Sequence, residues 1–188
     1  MKKKTFISIF LFLSNIVLSQ SVNDLDTKNG FRHFKLGSSP LQIKNIVKQE
    51  NQFSKNPNVI VYDYIGTDID NIFNVDVDQI TLSFFKNKLF NISIRFGSFE
   101  QSKDFEVHEY NSILSALERT YSTDWVMPAN DDGIILNGAI WDAKKVRLEL
   151  FRIDFSKSIT NPKDYGFIGG YINVFDKKLS TEMYSSDF

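Results

Sequence analysis

Asp68, Asp70, Asn71, Asp76 and Asp78 crowd the stretch TDIDNIFNVDVD, and oxygen ligands at such density are the material of a hard-cation site. The EF-hand template alternates oxygen ligands with spacers and then requires a glycine. Counted from Asp68, the third ligand position falls on Ile72 and the glycine position on Phe73. Counted from Asp76, the chain runs straight into an alternating apolar segment. The template is not met, and the charges fit a solvated loop and strand edge that discourages edge-to-edge pairing.

Other chemistry is as sparsely supplied. The two histidines, His33 and His108, share no metal-ligand spacing, and the chain has no cysteine. Asp131-Asp132-Gly133 reads as a turn. Glu100, Asp104, Glu106 and Glu109 gather where a helix begins, and the helix dipole favours acid there. Gly166-Phe167-Ile168-Gly169-Gly170 lies within a strand pattern rather than between a strand and a helix, which argues against a phosphate loop. No serine stands in a Gly-x-Ser-x-Gly elbow. No catalytic residue, cofactor or metal ligand is assigned.

The remaining signal is aromatic: 18 Phe, 7 Tyr and 2 Trp. Tyr62, Tyr64, Phe85, Trp125, Trp141, Phe151 and Tyr171 exceed what one helix-covered sheet face can bury. A sheet with its other face open would display some of them, and an exposed aromatic patch marks a partner-binding surface. Phe85, Leu89, Arg95, Trp141 and Tyr171 are the residues expected there.

The element that must position this surface is Gln79–Phe96. Ile80, Leu82 and Phe84 alternate with Thr81 and Ser83, and Phe90, Ile92, Ile94 and Phe96 alternate with Asn91, Ser93 and Arg95. Period-2 alternation predicts a hairpin with one apolar face. A two-residue loop would set Leu82 opposite Asn91 or Ser93. A three-residue loop, Lys86-Asn87-Lys88, pairs Phe84 with Phe90, Leu82 with Ile92 and Ile80 with Ile94, and is the register expected. It requires a left-handed residue at Asn87 or Lys88. Burying the six apolar partners contributes roughly 9–18 kcal/mol gross, at ~1.5–3 kcal/mol each.

Around it, Ser39-Pro40-Leu41-Gln42 combines an N-cap, Pro at the first helical position and a capping-box Gln. It predicts a helix to Asn51 with Leu41, Ile43, Ile46 and Val47 as its stripe. Val107, Tyr110, Ile113, Leu114, Leu117 and Tyr121 recur at helical spacing, predicting a second helix over Ser102–Tyr121. Strands are predicted over Val59–Ile65, Ile134–Trp141, Val146–Ile153 and Tyr165–Phe175, with a short helix or loose tail from Lys177. The fold class is α+β: an antiparallel sheet of about six strands covered on one face by two helices, in αβββ-αβββ order. One domain spans 31–188, with halves near 31–97 and 98–175.

Upstream, Lys2-Lys3-Lys4 and the apolar run Phe6–Val17 predict a signal peptide over 1–19, cut between Ser19 and Gln20, and a flexible lead-in over 20–30. The apolar run is shorter than the ~20 residues of a spanning helix, so no stable membrane insertion is expected after cleavage. The leader holds three of the 22 basic residues, which leaves 19 against 23 acidic ones in the mature chain. That balance argues against a nucleic-acid partner. Export to the periplasm or medium without disulfides leaves the core alone to hold the fold.

The segment Phe31-Arg32-His33-Phe34-Lys35-Leu36-Gly37-Ser38-Ser39 resembles the approach to the first helix in small exported α+β domains. These are the BamE-like lipoproteins of outer-membrane assembly and the β-lactamase inhibitor protein fold. The resemblance implies a tandem of helix-plus-sheet halves. This chain lacks the lipid-bearing cysteine of the one and the cysteine pairs of the other, so no functional residue carries over. The residues lean away from an enzyme. They favour a non-enzymatic protein-binding or envelope accessory module that uses a sheet face or edge against another envelope or secreted protein. The alternatives are a hydrolase with dispersed catalytic residues and a carrier of a small apolar ligand.

Overall fold

The computed structural model describes residues 21–50, 56–98, 103–129, 133–158 and 166–186. The signal-peptide residues, the Gln101 and Ser102 caps and the Asp131-Asp132 turn lie outside them.

The polar lead-in holds a short helix that packs on the core. Asp24–Lys28 forms helix α1, which buries Leu25 completely. Asp26 Oδ1 accepts the backbone N–H groups of Lys145 and Val146 at 2.8 and 2.9 Å, tying the segment to a distant strand. Gly30–Phe31 (β1) and Phe34–Lys35 (β2) then make a small hairpin around Arg32-His33.

The helix expected from Ser39 does not propagate. Its start signal works locally: Gln42 Oε1 accepts the Ser39 N–H at 2.8 Å, but only a 3-10 turn, Pro40–Gln42, follows. Ile43 is extended, Asn45 is left-handed with φ 58°, and Ile46–Lys48 becomes strand β3. β-Branched Ile43, Ile46 and Val47 suit a strand better than a helix. The proposed stripe also has no face to land on, since Leu41 is 98% exposed. A short helix without a packed face is marginal in water.

Val59–Tyr64 is β4, and Asn71–Ile72 (β5) with Val75–Asp76 (β6) is a second small hairpin. Gln79–Phe85 (β7) and Lys88–Phe96 (β8) form the expected central hairpin. Ile80 pairs with Ile94, Thr81 with Ser93, Leu82 with Ile92 and Ser83 with Asn91, as the alternation predicts. The turn end differs. Lys86 and Asn87 are both left-handed, a two-residue loop, and the register shifts after Ser83 so that Phe84 faces Leu89. Phe90 is the extra residue of a bulge, which reconciles a short primed turn with an in-register apolar face.

Val107–Tyr121 is α2, opened by Glu109 Oε2 accepting the Glu106 N–H at 2.8 Å. Ile135–Asp142 (β9), Val146–Asp154 (β10), Ile168–Asp176 (β11) and helix α3, Lys177–Ser185, complete the described elements. The fold is α+β, with a fully antiparallel seven-stranded sheet in the order β3-β4-β7-β8-β11-β10-β9. The seventh strand is β3, formed from the residues expected in the first helix.

One sheet face carries the main core. Ile80, Leu82, Phe84, Leu89, Ile92, Ile94, Leu148, Leu150, Ile172 and Val174 are buried there with Leu25, Phe34, Ile72, Phe105, Ile113 and Leu117 from the covering elements. The cover is therefore α1, the two small hairpins and α2, rather than two long helices. The ring of Phe105 lies where a Cβ on Gly170 would stand, so glycine at that position lets the 105 segment approach the sheet. On the opposite face α3 caps one corner, where Leu179 and Met183 pack on Val59, Phe85 and Phe90.

Candidate functional site

Alternation delivers the polar members of the central strands to this second face. Register aligns them in three rows across β8, β11 and β10: Asn91–Phe175–Arg147, Ser93–Asn173–Glu149 and Arg95–Tyr171–Phe151. All nine are half-buried. Beside α3 the first two rows, Ser93 excepted, floor a groove of about 430 Å³ that Phe90 and, from α3, Ser180 and Tyr184 also line. That volume falls in the range of about 300–1,000 Å³ typical of ligand pockets.

The floor carries two buried polar atoms without a hydrogen-bond partner, Asn91 Oδ1 and Arg147 Nε. Arg147 Nε stands 3.2 Å from Glu149 Oε1, an ion pair that lacks hydrogen-bond geometry. The Arg147 guanidinium lies 5.9 Å from the centroid of the Phe175 ring. Burial pushes the Glu149 carboxyl up from its ordinary value, while Arg147 and a hydrogen bond from Asn173 pull it down. Leaving a buried donor or acceptor unpaired costs about 1–3 kcal/mol. Among the described residues Glu149 is the carboxylate lining this groove, and its charge is matched by Arg147. The arrangement is suited to holding a ligand.

The third row continues outward. Arg95 Nε and Nη2 both reach Asp78 Oδ2, at 2.6 and 2.5 Å. Burial raises the Tyr171 phenol above its ordinary value, and Arg95 opposes the shift while Asp78 adds to it. Phe155 meets the Tyr171 ring edge-on at 6.0 Å.

Of the five residues expected at a partner surface, the structure brings Arg95 and Tyr171 together and removes the other three. Phe85 is buried under α3, Leu89 is buried in the main core, and Trp141 is buried with its indole N–H donated to Ser122 O at 2.9 Å. Asn91, Ser93, Arg147 and Glu149 already alternate outward in the sequence. Asn173 and Phe175 continue the same period on β11, but their place beside Asn91 depends on β11 inserting between β8 and β10.

The acidic stretch does not converge. Asp76 pairs with Lys103 at 2.9 Å, Asp78 with Arg95, and Asp70 accepts from Asn71 at 2.9 Å. Asp68 accepts a short hydrogen bond from the Tyr64 hydroxyl and lies 3.4 Å from His33 Nδ1. That hydrogen bond holds the Asp68 carboxyl below its ordinary value, and burial followed by Asp68 raises the Tyr64 phenol. Among the described residues, no three His, Cys, Asp or Glu side chains are placed to share a metal ion. His108 is exposed on α2. No helix among them is long and apolar enough to cross a membrane.

No family model, no curated protein and no solved structure matches the chain.

Proposed function

We propose that this chain is a non-enzymatic binding module, exported as an envelope accessory or secreted protein, whose groove beside α3 takes an extended polar segment of a partner polypeptide. The observation that carries the reading is the two groups on the groove floor that lack a hydrogen bond, Asn91 Oδ1 and Arg147 Nε. An extended backbone offers both complements, an N–H for the asparagine oxygen and a C=O for the guanidinium. The half-buried row Arg95–Tyr171–Phe151 extends the contact surface beyond the groove with residue types enriched at interfaces. Export rests on the basic start Lys2–Lys4 and the apolar run Phe6–Val17. The resemblance of Phe31–Ser39 to BamE-like and β-lactamase-inhibitor-like domains accords with a binding role.

A photo-crosslinking residue at Ser180, which lines the groove, tests the reading in cells that express the full chain. The expected result is a discrete adduct to one protein that is absent when the probe stands at exposed Ser115 on α2. Equal adducts from both positions, or none from Ser180, would contradict it.

A further inference from the structure

A second cavity, remote in sequence from the groove residues, gathers positive charge. It has a volume of about 420 Å³ and is lined by Lys28, Arg32 and Lys35 together with Phe31, Phe73 and Tyr121. The chain as a whole is nearly neutral, with 22 basic and 23 acidic residues, so three cations around one cavity are a local excess.

Among the described residues none of the three is in an ion pair, and the carboxylate acting on the cavity wall is Asp24, whose charge is felt by Tyr121. The ion pairs among the described residues use His33, Arg95, Lys103, Arg147, Lys177 and Lys178. Lys35 Nζ donates to the backbone carbonyl of Lys28 at 2.8 Å, and Lys28 Nζ rests 4.6 Å from the centroid of the Tyr121 ring. The carboxylates of α1 are turned to backbone groups: Asp24 accepts from the Ser21 N–H and Asp26 from Lys145 and Val146.

Arg32 adds an independent observation. It occupies a left-handed conformation, φ 53°, in the two-residue turn between β1 and β2. A side chain with a Cβ is disfavoured there by about 1–2 kcal/mol, and glycine is free of that penalty. The fold thus holds a strained arginine at the cavity.

We propose that this cavity binds a phosphomonoester carried on an aromatic or similarly flat apolar body. A planar guanidinium forks onto phosphate oxygens, and two ammonium groups add to the positive field that favours a dianion. Phe31, Phe73 and Tyr121 supply the apolar wall for the body. Low-dielectric walls around one sign of charge concentrate the field on such a ligand.

Phenyl phosphate, inorganic phosphate and phenol are the probes, titrated into the full chain and followed by amide and ring NMR shifts and by calorimetry. Phenyl phosphate is expected to saturate, with shifts centred on Phe31, Arg32 and Tyr121. It should bind at least tenfold tighter than either fragment and more weakly as salt rises. Arg32→Gly should lose at least tenfold in affinity while unfolding at the same or a higher denaturant concentration, and Lys35→Gln should weaken binding with the fold unchanged. Overturning results are unchanged affinity in Arg32→Gly, inorganic phosphate binding as tightly as phenyl phosphate, or shifts spread equally over exposed Lys144 and Lys145.

Discussion

Arg95 and Tyr171 are direct partners across β8 and β11 on the half-covered sheet face, where burial raises the phenol and the Arg95 charge opposes that shift. The same guanidinium holds Asp78. Replacing it therefore acts on the phenol twice: the cation that opposes the shift is lost and the Asp78 carboxylate remains nearby without its partner. Arg95→Met should move the Tyr171 titration further upward, read from its ring resonances. A downward shift would mean that the two side chains are not coupled as described.

Phe85 belongs to the small core under α3, not to a partner surface. Phe85→Ala should destabilise the fold by about 3–5 kcal/mol, the usual cost of deleting a buried aromatic ring. A surface substitution would stay within about 0.5 kcal/mol. Urea unfolding distinguishes the two.

Gly170 is a contact requirement. Its added Cβ would overlap the ring of Phe105, which is fully buried and stacked on Phe96 with centroids 5.3 Å apart. Gly170→Ala should cost about 1–3 kcal/mol through overpacking. Pairing it with Phe105→Leu should recover part of that loss in the same unfolding assay.

Tyr110 and Tyr121 are buried on α2, and burial raises both phenols to about 12 from their ordinary 10.0, with Glu118 and Asp24 adding to the respective shifts. Below pH 10 the folded and unfolded chains both keep these protons, so the contribution to stability is fully present. Between 10 and 12 the unfolded chain releases them while the folded chain retains them, and stability falls through that window. Urea midpoints should decline above pH 10, and the decline should be smaller in Tyr110→Phe and Tyr121→Phe.

The hairpin centre was legible because alternation admits one register when one face is buried. Its turn end was not. Leu89 and Phe90 are both apolar, and nothing in their types says that a bulge sends them to opposite faces. Phe84-Phe85 hides its orientation in the same way, since α3 buries the face that Phe85 meets. The Ser39 capping signals are local and were right about the first turn, but helix or strand beyond it was decided by β4, through Ile46 opposite Tyr64. At the site, Arg95 and Tyr171 were readable as outward residues of their own strands. The groove was not, because Asn91 and Arg147 become neighbours only through β11, a pairing between segments some eighty residues apart.

The most direct test is calorimetric titration of the purified chain with the segment captured from Ser180, comparing the unaltered protein with Asn91→Leu and Arg147→Met. The groove reading predicts that each variant stays folded, Arg147→Met with a lower unfolding midpoint because Glu149 loses its cation, and that each binds at least tenfold more weakly, about 1.4 kcal/mol. Unchanged affinity in both variants, with the fold intact, would contradict it.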